Sequence, residues 1–542
     1  MARLSHLPGF AAAALALSSP RALVAAQKPV TSVQSPQGRN PLTDEFSSFV
    51  NDKLDEWKVP GMSVAVIDGQ DVYAEGYGYA TLPDKRATPE TVWECASTTK
   101  AQVAATLGQL IASDKYPELS NGWATKISSV IRDDFVLQDD WATNHVTFED
   151  AASHRTGMPR HDKSSAHTVN GTQVTARDVV RNLRHLPMVS EPRVAFHYCN
   201  LMYEVLGHVI ETVTGKWVGK VMRDILWDPL GMNSTFLESA DSQRPEAMAT
   251  GYYWDKQAQA YKEVAPQPIV EMSAAGGVRS TVLDYAQWVK CLLHEAEPLS
   301  ASVHKEIKAP RITTTFFGDI SLYALGWERR QHKGHVIYTH AGGVTSFGAQ
   351  VYWLPEEKFG VVAFANTALT SNAVEDVVIY RLIEDRLGIS EGDRIDVGVM
   401  WRKNIGEYLR VPDNVDQVLF PDRPSPPLPS TFKVEDLVGR YSGPGYGEFT
   451  LRQEPHPDKS GEKILVADRD DMTWRYRISM HHASGNYWGV YLTVPSNPTF
   501  FLEYLPAEFT TGVDGRVSTL IIDWIVRMEG VDEGKVAFQK IA

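Results

Sequence analysis

The chain has 542 residues, 43% hydrophobic and 22% charged, with a formal net charge of −14. That composition belongs to a folded protein too long for one ordinary domain, and it excludes wholesale disorder. An acidic chain with no Lys/Arg cluster also excludes a nucleic-acid partner, which needs a basic stripe.

Residues 1–26 read as a signal peptide. Arg3 and His6 precede an apolar stretch from Phe10 to Leu17, Val24-Ala25-Ala26 offers small residues for cleavage, and no acidic residue occurs before Asp44. The rival is an Arg- and Ser-containing transit peptide. Secretion is the expected localisation, and the sequons at Asn170 and Asn233 fit a glycoprotein. Three cysteines, Cys95, Cys199 and Cys291, make neither a disulfide framework nor a zinc pattern. No later apolar run is long enough to span a bilayer, so no membrane partner is expected.

Residues 27–43 are a polar, loose arm. Phe46, Val50, Leu54 and Trp57 have helical spacing, and Pro60-Gly61 stops that helix. Met62–Ile67, the turn Asp68-Gly69 and the run Val72–Tyr77 predict a β-hairpin. A long, mainly helical middle follows, from about Thr98 to Ala296. Strand patterns return at Tyr323–Trp327, Val336–His340, Gly348–Trp353 and Gly360–Ala365, and a helix over Ala373–Leu387 closes the unit. First and last strands are expected as neighbours in one antiparallel sheet, an α+β fold with a helical insertion. The catalytic unit is assigned to 44–400 and a proline-rich linker to 401–431. Short alternating segments split by turns predict a small all-β C-terminal domain, barrel-like, over 432–542.

Chemistry points first to Ser97-Thr98-Thr99-Lys100. Apolar residues at helical spacing follow at Val103, Leu107 and Leu110, so the motif opens a helix. Residues three apart share a face, which brings the Lys100 amine within reach of the Ser97 hydroxyl. A serine nucleophile needs an adjacent base, and a lysine serves once its pKa is lowered. The motif is weak alone, since Ser302–Lys305 is a second copy without partners. Next comes Tyr198-Cys199-Asn200, whose phenol can pass a proton beside an ammonium and whose Asn200 amide can bind a substrate carbonyl or hold Lys100. The third is His340-Ala341-Gly342-Gly343 beside a strand end, where Gly342 and Gly343 let a substrate approach closely. The N–H groups of Ser97 and Gly343 could pair as an oxyanion hole. Acidic pairs at Asp139-Asp140 and Glu149-Asp150 read as solvated faces, and the tryptophans as core rather than substrate platform.

S-x-x-K, then Y-x-N, then H-x-G on a late strand, in that order, resembles the class C β-lactamase and penicillin-binding-protein family, with its esterase and D-aminopeptidase branches. Gly61–Val66, Ser153–Met158 and Ala274–Thr281 resemble its accessory stretches, and the resemblance covers roughly residues 44–390. Leu437–Tyr441 resembles the start of a β-barrel appendage. The resemblance implies a transpeptidase-like sheet and a serine hydrolase with Ser97 as nucleophile and Lys100 and Tyr198 as proton handlers. It implies Gly343, Asn200, His340 and Gly342 as oxyanion and substrate contacts, and no metal or organic cofactor. The expected substrate is a small ester, amide or peptide. His340 stands where drug-hydrolysing members usually carry lysine, which disfavours carboxylate-bearing β-lactams. The alternatives are an acyltransferase using the same site, a β-lactamase or D-aminopeptidase, and a non-catalytic binding protein.

Overall fold

The structure, a computed structural model, describes residues 39–237, 245–316, 318–410, 414–457, 459–500, 502–526 and 531–541. The signal-peptide expectation at 1–26, and the arm up to residue 38, lie outside them.

Helix α1 (Asp44–Trp57) starts where the Thr43 side chain accepts a hydrogen bond from the Phe46 N–H, and it buries Phe46, Val50, Leu54 and Trp57. Strands β1 (Gly61–Asp68) and β2 (Asp71–Thr81) form the predicted hairpin. A short edge pair, β3 (Lys85–Arg86), precedes the helical middle. That middle carries α2 (Thr99–Ala112), α3 (Asn200–Thr214) and α4 (Val282–His294).

The sheet resumes with β4 (Ile312–Phe316), β5 (Asp319–Tyr323), β6 (Glu328–His332), β7 (His335–Val344), β8 (Phe347–Leu354) and β9 (Phe359–Ala365). Its order is β4-β5-β6-β7-β8-β9-β1-β2-β3, so the last strand pairs with the first, Met62 opposite Ala365 and Val66 opposite Val361. β1 is central and buried through Ile67, which its near-continuous apolar run requires. Its residues alternate between two cores. Ala65 and Ile67 face the one shared with α2 and α4, and Met62, Val64 and Val66 the one under α1 and α5 (Thr370–Arg386).

Two stretches differ from expectation. Tyr323–Trp327 is not one strand: β5 ends at Tyr323, and the chain turns at Gly326 (φ 77°) against the backbone of Ala101. The turn is dictated by contact with α2, which local alternation does not encode. Asp150 is not a solvated acid. It is fully buried, with Arg155 Nε at 2.8 Å and Arg193 Nη2 at 2.7 Å. Beyond α5 the chain forms α6 (Val397–Leu409) and a short helix Val415–Leu419, which lie across the start of the proline-rich stretch.

Eight antiparallel strands from Gly439–Gly443 to Val531–Lys540 close into a barrel. The barrel docks on the catalytic unit through backbone and buried charge. The N–H groups of His167 and Thr168 both donate to the Asp471 carbonyl, and Thr473 N–H donates to the Ser165 carbonyl at 2.9 Å. Lys163 Nζ lies 2.9 Å from Glu503 Oε2, both groups nearly inaccessible. The His161 N–H donates to Glu533 Oε1 at 3.0 Å.

Burial pushes the Glu533 carboxyl up to about 7. A carboxyl whose pKa is raised on folding stabilises the protein fully below its ordinary value, and that contribution is lost as pH rises through about 7. Glu533→Gln should therefore flatten the fall in melting temperature between about pH 5 and about pH 8, by a few degrees. Thermal denaturation of both proteins across that range checks it, and parallel curves would count against the assignment.

Candidate active site

The Ser97 turn is set by side chains that cap their own backbone. Ala96 adopts φ 46°, turning the chain out of the short strand Trp93–Glu94 into the 3₁₀ turn Ala96–Thr98 and then α2. A left-handed alanine costs about 1–3 kcal/mol and persists only where neighbours over-determine it. Here Thr98 Oγ1 donates to the Cys95 carbonyl at 2.8 Å and Thr99 Oγ1 to the Ala96 carbonyl at 2.6 Å. Thr99 Oγ1 also accepts from the Val278 N–H at 3.0 Å. Ser97 is left half-buried at the head of α2.

Lys100, one turn on, is wholly buried, with its Nζ 2.9 Å from Ser97 Oγ and 2.7 Å from the Ala275 carbonyl. Burial, helped by the Arg160 charge, pushes the ammonium down to about 7, while Asp162 and Glu204 pull the other way. Such a lysine is substantially neutral near pH 7 and can accept a proton. Glu204, a residue sequence reasoning passed over, accepts the Ala275 N–H at 2.7 Å and so braces the carbonyl that holds Lys100. Burial raises its carboxyl well above the usual range.

Tyr198 is brought to the same place, its ring 4.9 Å from Lys100 Nζ and 4.8 Å from the Arg160 guanidinium. It is half-buried just before α3, with Cys199 packed inside. Burial pushes the Cys199 thiol up to about 12, far from a nucleophile's range. Behind Tyr198 lies His154, at 4.2 Å between ring centres. Its Nδ1 accepts the Cys199 N–H at 3.1 Å, and burial together with Lys100 holds the ring well below its ordinary pKa. His154 is thus a neutral shelf; its Ser153–Met158 segment was legible only as a family stretch. Asn200, the first residue of α3, does not accept a hydrogen bond from Lys100. Its Nδ2 lies 2.9 Å from Asp162 Oδ1, and Asp162 holds Arg160 Nε at 3.0 Å.

His340 is buried, with Nδ1 donating to the Ala341 carbonyl at 2.7 Å and Nε2 accepting from the Tyr323 hydroxyl at 2.9 Å. Burial, then the Lys100 charge, pushes it down to about 3. It offers no cation to an anionic substrate. Gly342 passes so close to the Ser97 turn that a Cβ there would lie 2.5 Å from the Cys95 carbonyl oxygen. Gly343, the next residue, faces the cavity with Ser97.

That cavity holds about 360 Å³. Besides Ser97, Arg160, Asn200 and Gly343, its wall includes Trp474, Phe500, Glu503 and Glu533, all from the barrel. Trp474 is buried in the core, as expected of the tryptophans, and also presents part of its surface to this cavity. Among the described residues, no group of three or more His, Cys, Asp or Glu side chains is placed to hold a metal ion.

The beta-lactamase family model matches residues 46–383. The unguisins hydrolase ungD' of Aspergillus campestris is 36% identical over 90% of each chain. The unguisins hydrolase ungD of Aspergillus violaceofuscus is 34% identical over 89% of this chain and 88% of its own. Among solved structures, the octameric penicillin-binding protein homologue from Pyrococcus abyssi is 20% identical, with a TM-score of 0.55, covering 91% of this chain and 99% of its own. The D-amino acid amidase from Ochrobactrum anthropi covers 63% of this chain and 99% of its own at 20% identity and a TM-score of 0.53. These two show the shared fold. With the family model matching residues 46–383 and the Aspergillus hydrolases covering about nine-tenths of the chain, the chain belongs to the beta-lactamase family and is an enzyme of the serine-hydrolase type.

Proposed function

We propose that the protein hydrolyses a small ester, amide or peptide through an acyl-enzyme on Ser97. The observation that carries this is the 2.9 Å contact between Ser97 Oγ and the amine of a fully buried lysine. Ser97 Oγ attacks the carbonyl carbon while its proton passes to Lys100 Nζ. The oxyanion rests on the N–H groups of Ser97 and Gly343. Tyr198, beside the Lys100 amine, hands the proton to the leaving group, and water then releases the acid and restores Ser97. Hydrolysis is favoured over a binding-only role because relatives matching nine-tenths of the chain carry a hydrolase name. The buried, uncharged His340 further disfavours substrates anchored through a carboxylate.

Ser97→Ala should lower turnover of a chromogenic short-chain ester on the order of a thousandfold or more, with the melting temperature unchanged. Intact-mass analysis should show an acyl adduct on the wild-type protein alone. An adduct that survives in Ser97→Ala would place the nucleophile elsewhere. Gly342→Ala should push the strand off the Ser97 turn, destabilising the fold by about 1–3 kcal/mol and lowering kcat/KM by about tenfold or more. Denaturant melts and steady-state kinetics measure both, and wild-type values for both would refute the close-approach requirement.

A further inference from the structure

The ester, amide or peptide reading leaves open what lies beside the reacting carbonyl, and the barrel wall bears on that. Trp474 leaves the barrel between strands Lys463–Arg469 and Tyr476–Ser484, and Phe500 between Tyr487–Thr493 and Glu503–Thr511. Their ring centres are 6.0 Å apart, both in the wall of the cavity that holds Ser97 and Gly343. The same wall includes Ile269, Met272 and Leu369 from outside the barrel. Leu369 is held at φ 61°, costly for a leucine, and strain of that kind gathers at ligand sites.

The aromatic wall is pinned rather than loose. Asn497 Nδ2 donates to the Thr345 carbonyl at 2.6 Å, and the Leu502 N–H donates to the Tyr408 hydroxyl of α6 at 3.2 Å. Both anchors tie the Phe500 loop to chain outside the barrel, one at Thr345 of the catalytic unit and one at α6. The cations in the same wall are matched by carboxylates: Arg160 Nε lies 3.0 Å from Asp162, and Lys163 Nζ 2.9 Å from Glu503. Among the described residues lining the cavity, Glu533 adds a third carboxyl group without a third cation. An anionic ligand gains nothing there, whereas an apolar group gains the burial of its surface.

We propose that Trp474 and Phe500, with Ile269, Met272 and Leu369, form a side-chain subsite for an uncharged substrate bearing an aromatic or long aliphatic group beside the scissile carbonyl. The assignment rests on Ser97 marking the reacting position, but its test does not need turnover. The full-length Ser97→Ala protein is titrated calorimetrically with N-acetylphenylalanine amide of either configuration, with N-acetylglycine amide, and with N-acetylphenylalanine as the free acid. One phenylalanine amide should bind about tenfold or more tighter than the glycine amide and the free acid. Phe500→Ala in that background, a change at a half-buried side chain, should reduce the preference about tenfold, and Trp474→Ala likewise. Equal affinities, no binding of any probe, or a preference unmoved in both variants at wild-type melting temperature would overturn the subsite. Failure of the nucleophile is read separately, as absence of fluorophosphonate labelling on the wild-type protein.

Discussion

The site depends on one unfavourable act, the removal of the Lys100 amine from water. A lysine in solvent keeps its proton at neutral pH and cannot take one from serine. At Lys100 the charged form is penalised by complete burial and by the Arg160 guanidinium, while the Ala275 carbonyl accepts a hydrogen bond from the amine in either state. Other neighbours brace the amine or limit how far its pKa falls. Glu204 fixes the carbonyl, Asp162 offsets Arg160, and His154 and His340 are held neutral beside the amine. A second cation on either ring would repel the protonated lysine and further depress its pKa.

The barrel is bound to this site in a way that its sequence position conceals. Its docking joins backbone hydrogen bonds at Asp471 and Thr473 to buried charge at Lys163, Glu503 and Glu533. Buried pairs of this kind are costly to break and modest in net stabilisation, so they fix orientation more than they add stability. Orientation matters here because the barrel contributes Trp474, Phe500, Glu503 and Glu533 to the wall of the Ser97 cavity. The family model ends at residue 383, whereas the matched Aspergillus chains cover about nine-tenths of this chain, so their match extends into the barrel.

What was legible in the sequence follows from what is local. The alternation in β1 and β2, the D-G turn, and the helical spacing after Ser97 are short-range patterns, and the sheet order follows from placing two strand groups at the ends of one unit. Ser97 and Lys100 meet because residues three apart across the start of a helix share a face. Nothing local marks Trp474 or Phe500 as facing a site hundreds of residues upstream: the alternating run Trp474–Ile478 reads as strand although the strand begins at Tyr476, and Phe500 sits in a loop. Asp150 misled for a related reason. An acidic pair looks solvated until the arginines at positions 155 and 193, one of them distant in the chain, fold over it. The turn at Gly326 likewise answers to the backbone of Ala101, not to its own neighbours.

The most direct measurement is the pH dependence of the rate at which a small fluorophosphonate labels Ser97, compared with Lys100→Arg. If burial holds Lys100 near neutrality, the wild-type rate rises with pH to a plateau with a midpoint near 7. In Lys100→Arg, whose side chain keeps its charge, that limb disappears and labelling is slow throughout. A wild-type rate still climbing above about pH 9, as for a lysine at its ordinary pKa, would contradict the account. So would unchanged labelling in Lys100→Arg.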